Sequence, residues 1–287
     1  MNKVGFIGVG IMGKSMVRNL MKAGFELHIY ARTKSKVEDV IGEGAQFHES
    51  IKDCVQDCDA VITIVGFPQD VEEVYFDEGN ILDSAKKGAY LIDMTTTSPQ
   101  IAEKIYAEGT KRGFHVMDAP VTGGDTGAKA GTLSILVGGE KEDYEACMPL
   151  FEAMGTNINY QGKAGCGQHC KLANQIMIAG TLSGVCEALT YAKEQGLDPE
   201  VFMKSVATGA AGSKQLDTFG PKILKDDYAP GFFMKHFIKD MKLADEEALA
   251  EHTKLGMLEY VLGMYEKLQE EGLGDLGTQA LIKYYEK

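Results

Sequence analysis

The stretch KVGFIGVGIMGKSM, residues 3–16, decides the fold. A short apolar run is followed by glycines at positions 8, 10 and 13, and a helical pattern begins among them. This order predicts a strand, a tight turn and a helix, with the first glycine permitting the turn, the second letting a pyrophosphate approach the backbone and the third letting the helix pack on a sheet. The start of such a helix also offers N–H groups to an anion. The residues expected to hold a dinucleotide here are Gly8, Gly10, Ile11, Met12 and Gly13.

Short apolar runs alternate with amphipathic stretches up to about residue 160. The runs that predict strands are KVGFIG, ELHIYA, AVITIV, AYLIDM, FHVMDAP and LSILVGG. Alternation of strands and helices favours a mostly parallel, doubly wound α/β sheet of Rossmann type. The continuous hydrophobicity of AVITIV is typical of a strand covered by helices on both faces.

The second half of the chain has a different pattern. KLANQIMIAGTLSGVCEALTYAKEQG is apolar nearly all the way round and predicts one helix of roughly 30 residues that must be buried. After it come only helical patterns, DPEVFMKSV, KDMKLADEEALAEHTK and GMLEYVLGMYEKLQEEG. We therefore expect a dinucleotide-binding domain at 1–162, a long interdomain helix at 163–195 and an all-helical C-terminal domain at 196–287.

Composition excludes several classes of partner. The 287 residues carry 29 Lys and Arg against 42 Asp and Glu, a net charge of -13, which disfavours binding to nucleic acid or to anionic lipid. No run approaches the roughly 20 uninterrupted apolar residues of a membrane span, and no signal-peptide pattern follows Met1. A cytoplasmic protein with no membrane association, whose six cysteines are reduced, is expected.

The residues after the second strand indicate which dinucleotide binds. An NAD site normally has an acidic residue there for the ribose hydroxyl, whereas this chain has Arg32, Thr33 and Lys34, with no acid beside them in the sequence. These residues suit a 2′-phosphate. NADP is therefore expected, and NAD is less favoured; the alternative is that Arg32 is only a solvated surface charge.

Three clusters are candidates for the reaction site, which we expect at the domain junction. In GCGQHCKLANQ, Lys171, Asn174 and Gln175 share one helix face, and partial desolvation of this lysine would lower its pKa and make it an acid and base. DAPVTGGDTG ends a strand in a turn whose N–H groups suit a carboxylate. PGFFMKHFIKDMKLA combines aromatic rings with Lys239 and Asp240. Taken singly, the first is equally a lysine at a helix end, the second a turn and the third an amphipathic helix.

Other chemistries find little support in the sequence. Cys166, His169 and Cys170 lack a nearby fourth zinc ligand, so no metal is expected. The only Tyr-x-x-x-Lys match, Tyr30 with Lys34, lies on the adenosine side of the predicted site. A G-x-S-x-G elbow is missing, which disfavours a serine hydrolase.

Taken together, these motifs resemble the β-hydroxyacid dehydrogenase family, which includes 3-hydroxyisobutyrate dehydrogenases, tartronate semialdehyde reductases and glyoxylate/succinic semialdehyde reductases. The resemblance runs from GFIGVGIMGKSMVRNLMKAG through DAPVTGG, GCGQHCKLANQ and FIKDMKLA to GLGDLGTQALIKYYE. It implies hydride transfer between NADP(H) and a short 3-hydroxyacid or its semialdehyde.

The resemblance also implies roles for individual residues. Lys171 is the implied catalytic acid/base. The implied substrate-binding residues are Thr122, Gly123, Gly124, Asn174, Phe232 and Asp240, and those implied near the cofactor include Arg32, Thr96 and Lys239. For Thr96, or its neighbour Thr95, the residues alone leave open a second role, as the cap of a helix starting near Pro99.

Three positions depart from the family pattern and leave the substrate open. Thr122 stands where serine is usual, Gln175 where asparagine is common, and Lys214 where tryptophan is frequent. The alternatives are a decarboxylating sugar-acid dehydrogenase, an imine reductase, which generally lacks the lysine, and an NADP-binding scaffold without turnover. The apolar long helix further predicts a homodimer or homotetramer.

Overall fold

The computed structural model describes residues 1–286, so Lys287, the last residue of the expected C-terminal domain, lies outside the described part. The chain forms two compact units, Met1–Lys171 and Leu172–Lys287. The boundary between them falls inside one long helix, α10 (Cys166–Glu194). The three-part division at residues 162 and 195 remains a prediction.

The first unit is built on a nine-stranded sheet. Its strands are β1 (Lys3–Ile7), β2 (Glu26–Tyr30), β3 (Gln46–Phe47), β4 (Ala60–Thr63), β5 (Tyr90–Asp93), β6 (His115–Asp118), β7 (Val121–Thr122), β8 (Leu133–Gly139) and β9 (Gly155–Gly162). The first six are parallel in the order β3-β2-β1-β4-β5-β6. β8 then pairs antiparallel with β6 and β7, and parallel with β9. The predicted doubly wound, mostly parallel sheet is confirmed.

Helices cover both faces of this sheet. They are α1 (Ile11–Lys22), α2 (Glu38–Gly42), α3 (Ile51–Val55), α4 (Pro68–Phe76), α5 (Ile81–Ser84), α6 (Pro99–Lys111), α7 (Gly124–Ala130), α8 (Lys141–Ala146) and α9 (Met148–Met154). Two separate apolar clusters result. One contains Phe6, Met16 and Ile29, and the other contains Ile7, Val61 and Tyr75. Neighbouring β1 residues Phe6 and Ile7 thus lie in different clusters, as expected when both faces of a strand are buried.

In the second unit every regular element among the described residues is a helix, apart from an isolated β-bridge between Phe233 and Gly277. After α10 come α11 (Pro199–Ala207), α12 (Lys214–Ile223), α13 (Met234–Ala250), α14 (Gly256–Glu270) and a 3₁₀ helix, Thr278–Tyr284. Its core contains Leu182, Phe237, Met241 and Tyr265. Phe237 and Tyr265 meet edge to face, with ring centroids 5.3 Å apart.

Helix α10, which the sequence predicted at roughly 30 residues, is long and apolar enough, by length and composition alone, to cross a membrane. Of its most apolar 18-residue window, 44% is buried within the protein. The core helix of a soluble protein has the same properties, so the finding is weak support for a membrane span.

Candidate active site

The glycine turn, residues 8–13, joins β1 to α1 in a conformation that only glycine allows. Gly8 has φ +98°, and a Cβ on it would lie 2.1 Å from the Ile64 carbonyl oxygen. A Cβ on Gly13 would lie 2.1 Å from the Gly8 carbonyl oxygen. Both contacts are far shorter than van der Waals distance, so the packing of backbone on backbone excludes any side chain at these two positions.

Gly10 differs from the other two glycines because a Cβ there would meet nothing within 4 Å. It is the N-cap of α1, it offers no capping side chain, and the first turn of α1 holds no acidic residue. The first N–H groups of an α-helix have no partner within the helix, and they attract anions. The turn therefore has the open space and the donors that the pyrophosphate of a dinucleotide requires.

Arg32 lies just beyond the end of β2, and its side chain is 69% exposed. Its Nη2 donates a hydrogen bond of 2.9 Å to Oδ1 of Asp70. The other oxygen of Asp70 accepts from the Phe67 N–H at 3.0 Å, which holds the carboxylate at the start of α4. An acidic side chain thus does lie beside Arg32, contrary to the expectation from the local sequence, because the fold brings it from 38 positions away.

The neighbouring residues of this segment are also exposed. Thr33 precedes a short 3₁₀ turn, Lys34–Lys36. Lys34 places its ammonium 3.4 Å from Oε1 of Glu49 and 4.9 Å from the centre of the Phe47 ring. Arg32 and Lys34 thus each lie beside one carboxylate, and exposed ion pairs of this kind are weak enough for an anionic ligand to displace.

The threonine loop, residues 95–97, follows β5 at the same edge of the sheet. The hydroxyl of Thr95 accepts from the Val65 N–H at 3.0 Å. Helix α6 is capped by Ser98, whose Oγ accepts from the Ile101 N–H at 3.1 Å. The alternative that Thr95 or Thr96 caps this helix is therefore wrong. Thr96 lies half-buried in the middle of the loop.

The buried carboxylate of Asp93, at the end of β5, holds the first residue of the threonine loop. Oδ1 of Asp93 accepts from the Thr63 hydroxyl at 2.8 Å and from the Thr95 N–H at 3.1 Å. Burial penalises the charged form of this group and raises the pKa of Asp93 from 3.8 to about 6, although both hydrogen bonds oppose the shift. Asp93 thus fixes the beginning of the loop.

A second glycine-containing turn, residues 122–124, lies at the end of the short strand β7. Gly123 has φ +130° and Gly124 has φ +62°, so two successive residues adopt conformations that favour glycine. A Cβ on Gly124 would meet nothing within 4 Å, whereas one on Gly123 would lie 3.2 Å from Cδ2 of Leu133. The turn therefore packs against Leu133 at Gly123 and has open space beside Gly124. Thr122 is half-buried.

Lys171 lies in the second turn of α10 and is only 7% exposed. The first turn of this helix is held by Asp118 at the end of β6, whose two carboxylate oxygens accept from the N–H groups of Gly165 and Gln168, each at 2.8 Å. Burial raises the pKa of Asp118, and these backbone donors oppose the rise. The predicted lysine is thus placed by a carboxylate that sequence reasoning did not single out.

Asn174, Gln175, Lys239 and Asp240 form a connected polar group in the second unit, which we call the carboxamide chain. Nδ2 of Asn174 donates to Oε1 of Gln175 at 2.8 Å. Nε2 of Gln175 donates to Oδ2 of Asp240 at 2.7 Å. The ammonium of Lys239 lies 3.0 Å from Oδ1 of the same carboxylate, which is 1% exposed. The chain joins two predicted site segments that lie 65 positions apart.

Two other residues of the second unit that the sequence singles out lie outside the carboxamide chain. Phe232 is half-buried just before α13, and its ring packs on Phe237 with centroids 6.1 Å apart. Lys214, the departure from the family pattern, is exposed as the first residue of α12. Among residues 1–286, no three His, Cys, Asp or Glu side chains are grouped closely enough to hold a metal ion.

Comparisons with known proteins show the family to which the chain belongs. Residues 3–162 match the model for the NAD binding domain of 6-phosphogluconate dehydrogenase, and residues 165–285 match that for the NAD-binding region of NADP-dependent 3-hydroxyisobutyrate dehydrogenase. The chain belongs to the 3-hydroxyisobutyrate dehydrogenase family. The resemblance drawn from the sequence motifs is therefore confirmed. The match over residues 3–162 also confirms that the first unit is an NAD(P)-binding domain.

Members of the 3-hydroxyisobutyrate dehydrogenase family align with nearly the whole chain. An uncharacterized oxidoreductase, YkwC, of Bacillus subtilis is 49% identical over 284 residues, 99% of each chain. The 2-hydroxy-3-oxopropionate reductase of Escherichia coli is 34% identical, over 99% of this chain and 97% of its own. Among solved structures, the Mycobacterium tuberculosis 3-hydroxyisobutyrate dehydrogenase with L-serine has a TM-score of 0.91 and 26% identity, covering 100% of both chains.

Proposed function

We propose that the protein is an NADP-dependent oxidoreductase that interconverts a short 3-hydroxyacid and its semialdehyde, with Lys171 as the general acid and base. One observation carries the proposal: an almost fully buried lysine is held, through Asp118, on the NAD(P)-binding unit of a dehydrogenase family member. Lysines are rarely buried without a reason, and a lysine in such a place suits proton transfer.

The proposed reaction divides its tasks among the predicted residues. The chemistry that a bound nicotinamide supplies is hydride transfer from C4 to the aldehyde carbon. Lys171 donates a proton to the aldehyde oxygen and takes it back in the oxidising direction. The N–H groups of residues 122–124 bind the substrate carboxylate, and Asn174 orients the substrate. Phe232 and Asp240 border the substrate, and Lys239 and Thr96 lie near the cofactor.

The preference for NADP rests on the charges after β2. The Arg32 guanidinium uses Nη2 for Asp70, and a guanidinium carries five N–H donors in all, so the same side chain can also bind a 2′-phosphate. Lys34 and the exposed Thr33 add a second cation and a hydroxyl. The family model for residues 165–285 also carries the NADP-dependent description.

A panel of substrates tests this function. Purified protein is assayed with 3-hydroxyisobutyrate, tartronate semialdehyde and succinic semialdehyde, with a 6-carbon sugar acid and a cyclic imine, and with NADP(H) and NAD(H). Turnover of the short hydroxyacid or semialdehyde with NADP(H) supports the proposal. Turnover only of the sugar acid or the imine supports one of those two activities instead, and tight NADPH binding without turnover of any compound supports a scaffold.

We also propose a soluble, cytoplasmic homodimer or homotetramer. Helix α10 carries Met177 and Tyr191 with 71% and 65% exposure, and Gly184 lies on the same exposed face between them. An apolar stripe of this length on a soluble protein favours self-association. Light scattering on the purified protein measures the oligomeric state, and a monomer at micromolar concentration would contradict this part.

A further inference from the structure

Gln168 joins the first turn of α10 to the threonine loop. Its side chain has no exposed surface. Nε2 donates to the Thr95 carbonyl oxygen at 2.7 Å, and Oε1 accepts from the Thr97 N–H at 3.0 Å. One amide group thus holds the backbone on both sides of Thr96.

The helix turn that carries this amide is itself fixed. The Gln168 N–H donates to Asp118 at 2.8 Å, so the backbone of the residue is tied to β6 while its side chain is tied to the loop after β5. A Cβ on Gly167 would lie 2.7 Å from the Asp118 carboxylate, and one on Gly138 2.5 Å from it. Both glycines are needed for this close approach, which leaves the helix start little room to shift.

Lys171 follows Gln168 by three positions on α10, so the two side chains project from neighbouring points of one helix face. Any displacement of the Gln168 clamp therefore changes the placement of Lys171 relative to Thr96. In the proposed function Lys171 transfers the proton and Thr96 lies near the cofactor. Both residues belong to the first unit.

We infer that Gln168 is a positioning residue, which sets the threonine loop at the distance from Lys171 that hydride and proton transfer require. The inference rests on the proposed function. Glutamine suits the task because one planar group supplies both a donor and an acceptor. An ionised glutamate keeps only the acceptor, and methionine, which is nearly the same length, has neither.

The variant Gln168→Met tests this inference, with Gln279→Met as its matched control. Gln279 also has no exposed surface, and its Nε2 donates to the carbonyl oxygens of Asp227 and Ala229 at 2.9 and 3.2 Å. It clamps a segment of the second unit that holds no candidate site residue. Both variants lose a buried amide clamp, so both should unfold at a lower temperature than the wild type.

Catalysis should separate the two variants. A misplacement of about 1 Å costs on the order of a hundredfold in rate, so we expect kcat of Gln168→Met to fall about ten- to a hundredfold. The Kd for NADPH, measured by fluorescence titration, should change less than about threefold because the glycine turn and Arg32 are untouched. Gln279→Met should keep its kcat. Gln168→Glu, which retains the acceptor for Thr97, should fold and show an intermediate kcat.

Two results would overturn the inference. In one, Gln168→Met loses thermal stability as the control does but keeps kcat within about threefold of wild type. In the other, Gln279→Met loses as much kcat as Gln168→Met, which would make the loss a general consequence of lower stability. Failure of the proposed function itself looks different, since a wild type that turns over no short semialdehyde, or an active Lys171→Ala variant, removes the reaction that Gln168 is said to serve.

Discussion

In the first unit the glycine turn proposed to bind the pyrophosphate is made of backbone, whereas in the second unit the carboxamide chain is made of side chains. The glycine turn leaves open space at Gly10, where an added Cβ meets nothing within 4 Å. The carboxamide chain is closed, because Gln175 and Asp240 are each 1% exposed and bonded to each other. The glycine turn leaves space for a ligand beside its backbone, whereas the side chains of the carboxamide chain are held in place by hydrogen bonds to each other.

This difference teaches how each region responds to substitution. A side chain added at an open turn occupies the place of a ligand without disturbing the fold. A side chain removed from a closed chain leaves its buried partners without hydrogen bonds, which lowers the stability of the protein before it affects any ligand.

The largest effect is expected for Gly10→Val. Because a side chain fits at Gly10 in the folded protein, the variant should unfold at the same denaturant concentration as the wild type. Its γ-carbons fill the space left for the pyrophosphate, so NADPH and NADH affinity should fall at least a hundredfold, about 3 kcal/mol. Fluorescence titration measures the affinity. Gly42→Val is the control, because a Cβ on Gly42 in α2 also meets nothing within 4 Å. This control variant should bind NADPH as the wild type does. Unimpaired NADPH binding by a folded Gly10→Val variant would show that the glycine turn is only structural.

The second prediction concerns Arg32→Asp. Charge-assisted hydrogen bonds are worth roughly 1.5–3 kcal/mol, so the ratio of kcat/KM for NADPH to that for NADH should fall about ten- to a hundredfold, mainly through KM. The new carboxylate would repel a 2′-phosphate and accept from a ribose hydroxyl. Steady-state kinetics with both cofactors measure the ratio.

A matched control exists for this charge reversal. Arg112 pairs with Asp83 at 2.7 Å as Arg32 pairs with Asp70, and it lies beyond the end of α6, away from the segment after β2. Arg112→Asp should leave the ratio unchanged. A wild type that prefers NADH, or an Arg32→Asp ratio that does not move, would show that the segment after β2 does not bind a phosphate.

The smallest effect is expected for Gln175→Leu, and it falls on stability. Asn174 and the Asp240 carboxylate each lose a buried partner, so the free energy of unfolding should drop by about 1–3 kcal/mol. Urea unfolding followed by circular dichroism measures this. Thr110→Val, an exposed position on α6, should change it by less than about 0.5 kcal/mol. A Gln175→Leu variant as stable as the wild type would mean that the hydrogen bonds of the carboxamide chain do not stabilise the protein.

Much of the first unit could be predicted from sequence because its constraints are local. The backbone contacts of Gly8 and Gly13 demand glycine at fixed spacing from a strand, and that spacing is visible in residues 3–16. The long helix was expected at roughly 30 residues and has 29. The strands β3, β7 and β9 were missed because two of them have two residues each, and β9 has a mostly polar, half-exposed sequence.

The supporting residues could not be predicted, because their partners are distant in sequence. Asp118 meets α10 from 47 and 50 positions away, and Gln168 meets the threonine loop from 71 and 73. Asp70 meets Arg32 in the same way. Buried polar residues in otherwise apolar segments were the only signal, and such residues do not identify their partners.

The central claim is that Lys171 transfers the proton that accompanies hydride transfer. The direct test is a single-turnover reaction with NADPH carrying deuterium at C4 and a short semialdehyde, for wild type and Lys171→Ala, with the deuterated hydroxyacid measured by mass spectrometry. The wild type should transfer the deuterium, and the variant should do so about 10²–10⁴-fold more slowly, with an NADPH Kd close to that of the wild type. A variant that transfers deuterium at more than about a tenth of the wild-type rate would remove Lys171 from the mechanism.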